Sequence, residues 1–346
     1  MSFDKPFKTY KELIDLLEEK DLTVSNKTYA ENILSEIPYH ILTHNYKSEL
    51  SSSEDCNKFN KNLSFDELYL NYITKNNFNN ILLKQILRIE KSFKTKLAYL
   101  ISKKYGISAG AINQSVNERG DVVYRVDCVN SDYLHACHYN DGSYNVLNKL
   151  KQNITSSKAG SGIFYYWQNK NHIPPWILSS DIPFGNSIMW YSILNPCDKD
   201  ELCSSFYNYP SNPVSINVKK EFLKPSLDLL RVYRNNYAHG NKFFVDNITS
   251  VLPKNELFLL LPEGVLTKSE YLSGLGKNDT FALLLVLILL SNDLFNVSDF
   301  LIDINAVLNR YVDLIPEDTV CKLLNLPTDF RDRLMKIIAA NFNVPN

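Results

Sequence analysis

Glycine is scarce in this chain, 11 residues in 346, and the few are dispersed. That leaves no glycine-rich loop of the kind that cradles nucleotide phosphates, and it argues against a glycine-loop nucleotide-binding fold. Long apolar runs are also missing. The longest, Phe281 to Leu290, is closed by Ser291, Asn292 and Asp293, whereas a membrane-spanning helix needs about 20 apolar residues. The run reads as a buried core helix, and no membrane partner is expected. The opening segment carries acids where an export signal needs an apolar stretch, so no export signal is expected. The six cysteines (Cys56, Cys128, Cys137, Cys197, Cys203, Cys321) are scattered through a long chain with no expected export signal, which predicts reduced thiols in a cytoplasmic protein. Cys128, His135, Cys137 and His138 are near enough in sequence to be weighed as metal ligands. Their spacing fits no regular zinc pattern, and no metal or other cofactor is expected. Net charge is −1, so no global field draws the chain to nucleic acid.

What the chain has is helical periodicity. Apolar residues make up 45% and charged residues 22%, the balance of a globular protein with a sizeable core. Thr9 stands as an N-cap before "YKELIDLLEEK", and "KTYAENILSEI" reads as a second helix ended by Pro38. The longest helical region follows Ser64. Glu67 three residues on makes a capping box, and Ile86, Glu90, Phe93, Leu97 and Leu100 then recur at helical spacing until Gly106. Ser51 to Glu54 is the best loop candidate. From Asp121 to Val146 the chain is aromatic, polar and poorly periodic, compatible with loops, short helices or a small hairpin. Pro174 and Pro175 preclude a continuous helix there. Pro225 suggests a helix restart at its first turn, and the C-terminal third is helical. No repeat or low-complexity linker interrupts the chain. The organisation expected is all-α, one domain over 1–346. It has N-terminal helices in 1–50, first core helices in 64–106, a partly irregular insertion in 107–185, and a motif helix with C-terminal helices in 186–346.

The charge is unevenly placed. From Lys84 to Lys104 there are seven basic residues, including Arg88, Lys91, Lys94 and Lys96, against one acid, Glu90. From Lys219 to Lys242 there are six against two, whereas Val251 onward holds eight basic residues and twelve acidic. Each basic segment is either a phosphate-binding face or an ordinary solvated helix face.

The second segment contains "LRVYRNNYAHG", Leu230 to Gly240. Gly240 suits a C′ position, which puts His239 in the last turn, where the helix dipole favours imidazolium. Such a histidine can serve as acid or base near neutral pH, or simply cap carbonyls. Arg231, Asn235 and His239 share a stripe, whereas Arg234 lies roughly 140° around an ideal helix from His239. Glu90 is either one half of a salt bridge or the group that orients Arg234. Arg231 either meets a phosphate or pairs with Glu90. Trp167, Trp176 and Trp190 read as core residues, with Tyr165 and Tyr166 beside Trp167 as a base-stacking alternative.

"RNNYAH" resembles the Arg-x4-His motif of HEPN ribonucleases, and in its Arg-Asn-x-x-Ala-His form the AbiD/AbiF group of bacterial abortive-infection proteins. Three further stretches resemble that group in the same order: "KPFKTYKELIDLLEEKDL", the long region from Glu67 to Gly106 with its Ile89–Glu90 pair, and "PPWILSSDIPFGNSIMWYSIL". The resemblance implies an all-α, HEPN-like bundle and a metal-independent endoribonuclease, a toxin in antiphage defence or a toxin–antitoxin system. It implies a homodimer that pairs two motifs in one cleft, with Arg234, His239 and Asn235 as catalytic residues. Glu90, Arg231, Lys94, Lys96, Arg88 and Lys242 would support the site or contact RNA. It also implies an RNA substrate and a small non-coding regulatory RNA as partner. The tyrosine that marks relatives silenced by nucleotidylation is Asn241 here, so that control is not expected. A non-catalytic RNA-binding protein gripping a regulatory RNA is the competing reading.

Overall fold

A computed structural model describes residues 4–44, 58–60, 63–207, 214–238, 248–310 and 313–342. Among them are 16 α-helices and one two-stranded sheet, so the fold is all-α with a small hairpin. None of the described helices is long and apolar enough to cross a membrane. The Ser51 to Glu54 loop, His239, Gly240 and Lys242 lie outside the described residues.

The chain divides into two compact units. The first comprises residues 1–84, 233–247 and 298–328. Its helices are α1 (Tyr10–Glu18), α2 (Lys27–Glu36), α3 (Tyr39–His44), the start of α4 (Phe65–Tyr105), the body of α14 (Leu294–Arg310) and α15 (Glu317–Leu323). Local chemistry starts them. Thr9 and Glu12 form a reciprocal capping box at α1, and Ser64 and Glu67 do the same before α4, with Glu67 Oε2 accepting from the Ser64 amide at 2.9 Å. Ile14, Leu17, Ala30, Ile33, Leu42 and Leu68 close into one buried cluster.

The second unit comprises residues 85–232, 248–297 and 329–346. After the long helix α4 come β1 (Ala111–Val116) and β2 (Val122–Asp127), antiparallel with Ala111 opposite Asp127 and Val116 opposite Val122. Gly110 enters the hairpin at φ +113°, and a Cβ there would stand 2.5 Å from the Asp127 carbonyl oxygen, so only glycine fits. The hairpin settles the stretch that periodicity left open, together with a 3₁₀ turn at Ala136–His138. Then follow α5 (Tyr144–Thr155), α6 (Gly162–Asn169), α7 (Pro175–Asp181), α8 (Phe184–Ser192), α9 (Pro196–Ser204), α10 (Ile216–Ala238), α11 (Lys254–Leu260), α12 (Lys268–Leu272), α13 (Thr280–Leu289) and α16 (Phe330–Phe342). The apolar run became α13, buried along its length from Phe281 to Leu289 and packed on α16. Phe93 on α4 sits among Phe184, Tyr191 and Phe206, each ring about 6 Å away. Trp190 is fully buried. It donates from Nε1 to the Tyr139 hydroxyl at 3.0 Å, and that hydroxyl donates to the Tyr133 carbonyl at 2.6 Å. Cys128, Cys137, Cys197 and Cys203 are free thiols.

Two expectations are corrected. Pro225 does not restart a helix: α10 runs through it from Ile216 to Ala238. An interior proline removes a helix hydrogen bond and costs about 3 kcal/mol in an isolated helix. Here Phe222, Leu223, Leu227, Leu229 and Leu230 are completely buried around it, which outweighs that cost, and the Pro225 carbonyl accepts from Ser250 Oγ at 3.0 Å. Trp176 is not core but 47% exposed. Pro174 and Pro175 set the start of α7 so that Pro175, Leu178 and Ser179 face inward, and Trp176, one step round, faces out.

Candidate functional site

The motif helix α10 is 23 residues long, and its apolar stripe is anchored by the buried residues around Pro225. Its polar side carries the cations. Arg231 is partly exposed, and its Nε lies 3.7 Å from Asp228 Oδ1 one turn back. Its aliphatic stem runs over Gly185 on α8. A Cβ at Gly185 would meet Arg231 Cδ at 3.2 Å, so the glycine after Phe184 leaves room for the arginine. The stretch "PPWILSSDIPFGNSIMWYSIL" contains this glycine, but its sequence does not reveal the contact. One turn on, in the first unit, Arg234 is half-buried and Asn235 exposed. Arg234 Nη1 approaches Asn235 Oδ1 at 3.5 Å, at the limit of a hydrogen bond. The helix is described to Ala238, so Arg234 and Asn235 lie in its last turns. The descriptions stop one residue before His239, and Lys242 lies beyond as well.

The supporting residues on α4 make contacts within the second unit. Glu90 is 7% exposed and pairs with Lys94 one turn on, Oε1 to Nζ 2.9 Å, with both side chains sunk in the second unit. Lys94 Nζ also donates to the Ile182 carbonyl at 2.8 Å, and the Lys94 carbonyl accepts from Ser179 Oγ at 3.0 Å. Glu90 and Lys94 thus form the intrahelical salt bridge that was one of the two readings. Lys96 turns inward. It donates to the Ser205 carbonyl at 2.7 Å and stands 4.0 Å over the Phe206 ring, and burial pulls its ammonium down to about 8. Arg88 is half-buried and donates to Gln85 Oε1 at 3.3 Å. Lys91 is exposed.

Glu90 and Lys94 also form part of the wall of a groove of about 620 Å³ in the second unit, between α4 and α7. Leu87, Tyr99 and Trp176 line it, and all three are exposed. The signal for this groove was in the sequence as the stripe Leu87, Lys91, Thr95, Tyr99 at steps of four. Leu87 belongs to the groove rather than to the core, which takes Leu82, Ile86 and Ile89 instead.

The candidate ligands Cys128, His135, Cys137 and His138 have other neighbours. Cys128 Sγ donates to the Ala109 carbonyl, His135 Nδ1 accepts from the Cys137 amide, and the His138 ring stacks on Tyr105 with centroids 4.5 Å apart. Tyr165 is half-exposed and Trp167 packs edge-on against Tyr124.

The family described as Abi-like protein matches the chain over residues 32–245. That span is more than half of the chain and contains the Glu90 region, the groove and the whole Arg234 to His239 motif. No curated protein and no solved structure matches the chain.

Proposed function

This chain belongs to the Abi-like protein family, an abortive-infection family, and from that premise we propose that it is an endoribonuclease toxin of antiphage defence, built on a HEPN-like dimer. The observation that carries the proposal is the end of α10, where Arg234 and Asn235 stand side by side in the last described turns and His239 follows in the sequence. The residue types suit metal-independent RNA cleavage, and their order is that of the HEPN motif the stretch resembles.

The RNA 2′-hydroxyl attacks the adjacent phosphorus, the bond to the 5′ oxygen breaks, and a cyclic phosphate and a 5′-hydroxyl remain. His239 accepts the 2′ proton, and a second imidazole donates to the departing oxygen. One chain supplies one such histidine, so a two-fold dimer that brings two motifs to one linkage completes the pair. The Arg234 guanidinium grips two phosphate oxygens and stabilises the charge that grows on them. Asn235, exposed beside it, orients the histidine or binds phosphate. The partly exposed Arg231 extends the phosphate contact along the helix, and Lys242 follows the motif in sequence. Glu90 and Lys94 tie α4 to the segment after α7 at the wall of the groove. A small non-coding RNA that occupies the same surfaces is the restraint this reading favours.

The test is cleavage of single-stranded RNA by the purified full chain. His239→Ala is expected to lose roughly a hundredfold or more of the rate. Arg234→Lys is expected to lose activity too, since an ammonium cannot reproduce the planar fork. Both variants should keep the circular dichroism and unfolding midpoint of the parent. If both cleave as the parent does, the site is wrongly assigned. Binding without cleavage by the parent would favour a protein that only grips a regulatory RNA.

A further inference from the structure

The groove between α4 and α7 combines two properties that a single ligand chemistry satisfies. Its walls are apolar and aromatic: Trp176 is 47% exposed, Tyr99 69% and Leu87 43%. Such large residues gathered on one concavity mark a binding site rather than scattered surface apolarity. Its volume of about 620 Å³ lies within the range of small-ligand sites, roughly 300–1,000 Å³. Its charge is not neutral. Glu90 and Lys94 cancel each other and are closed by the Ile182 carbonyl. Lys91 is exposed at the groove and makes no ion pair among the described residues. An aliphatic occupant would cover the rings and leave Lys91 unanswered. An aromatic anion answers both.

The hydroxyls narrow the chemistry further. Thr95, Ser102 and Ser179 line the groove and donate their protons to the carbonyls of Lys91 at 2.9 Å, Ala98 at 2.7 Å and Lys94 at 3.0 Å. Toward a ligand they remain acceptors, suited to the exocyclic amine of a base.

Resting on the nuclease reading above, we infer that this groove takes an unpaired nucleotide of the bound RNA, its base against Trp176 and Tyr99 and its phosphate at Lys91. The substrate class is then single-stranded RNA with a base free to leave its stack, as aromatic platforms require. A paired strand, its bases already stacked, does not enter.

The test uses the full chain carrying His239→Ala, so that RNA is bound and not cut, with fluorescent oligoadenylate followed by anisotropy. Trp176→Ala is expected to weaken binding about tenfold or more, the weight of one stacked base. Trp176→Phe, which keeps a ring, should retain most of the affinity, and Lys91→Glu should reduce it. Annealing the probe to oligouridylate should remove the difference between Trp176 and Ala. The inference is overturned if Trp176→Ala binds the single strand as the parent does, if free adenosine monophosphate competes as well as the oligomer, or if the substitution changes subunit association and not RNA affinity. Failure of the nuclease reading is distinguishable. In that case the wild type cleaves nothing, while Trp176-dependent binding persists.

Discussion

The Glu90–Lys94 pair offers the sharpest quantitative test. The side chains are 9% and 13% exposed, and the charges stand 2.9 Å apart. In an effective dielectric near 20 that separation corresponds to about 6 kcal/mol of attraction before desolvation is charged against it. Desolvation of two buried ions consumes most of that gain, so the pair as a whole is close to neutral, yet removal of one member is costly because the other stays buried. Lys94→Met should therefore destabilise the second unit by about 3 kcal/mol, the lower end of the range for broken buried pairs. The lost hydrogen bond to the Ile182 carbonyl is part of that loss. Glu90→Gln should cost less, since the amide oxygen can still accept from Lys94. In the double variant neither side chain carries a charge. Its cost should fall short of the sum of the singles by about 2 kcal/mol, a coupling typical of residues in direct contact. The assay is urea unfolding read by tryptophan fluorescence. Trp167, Trp176 and Trp190 all lie in the second unit, so the signal reports the part of the molecule that is perturbed. A midpoint shift at constant m gives the free energy. Additive costs, or a Lys94→Met shift worth under about 1 kcal/mol, would refute the reasoning and make this pair a surface contact.

Two further outcomes follow from the structure. Glu270 is held down to about 2, first by the Arg333 guanidinium at 2.8 Å, partly offset by burial and helped by the amide and hydroxyl of Thr267. A carboxylate depressed in the folded state contributes stability above its unfolded value of about 4.3 and loses it as pH falls toward 2. The unfolding midpoint should drop across that window, and Glu270→Gln should lower it at neutral pH and flatten the drop; a curve parallel to wild type would contradict the assignment. At the start of α4, Ser64→Ala removes the acceptor of the Glu67 amide at 3.2 Å and should cost about 1 kcal/mol. Far-UV circular dichroism during thermal unfolding would show it, and an unchanged midpoint would mean that Ser64 does not cap.

The parts of the fold that were legible in sequence are those governed by neighbours in the chain. Thr9 with Glu12 and Ser64 with Glu67 announce their helices because both partners of the box lie three residues apart. The run at Phe281 announces a buried helix because every face is apolar. Pro225 was misread for the opposite reason. The rule that proline starts a helix is local, and the burial of Leu223, Leu227 and Leu230 that overrides it is tertiary. The hairpin gave no alternating signal because nearly every residue of both strands faces solvent. On the candidate site, helical spacing placed Arg231, Arg234 and Asn235 on the motif helix. It could not show that Lys94 and Lys96 turn inward, since their partners are the carbonyls of Ile182 and Ser205. Backbone acceptors so far along the chain leave no mark of charge or residue type.

The same inward pairing changes what the two basic segments mean. Lys84 is bound to Asp299 and Asp303, Lys103 to Glu201, and Lys104 to Asp198 and Glu201. Lys220 is bound to Asp200 and Lys224 to Asp228, and Lys219 donates to the Tyr207 carbonyl. With Lys94 and Lys96 also engaged, much of the charge counted in those segments is answered by the protein itself, in keeping with a chain of net charge −1. If the proposed reading holds, phosphate-driven attraction, which holds any nucleic acid regardless of sequence, would therefore be reduced. On the proposed nuclease reading, that weakness would help the protein lie idle beside abundant cellular RNA. On that reading, discrimination would fall to short-range contacts, the Arg234 fork and the aromatic groove at Trp176. Those contacts depend on strand geometry and unpaired bases rather than on the number of phosphates.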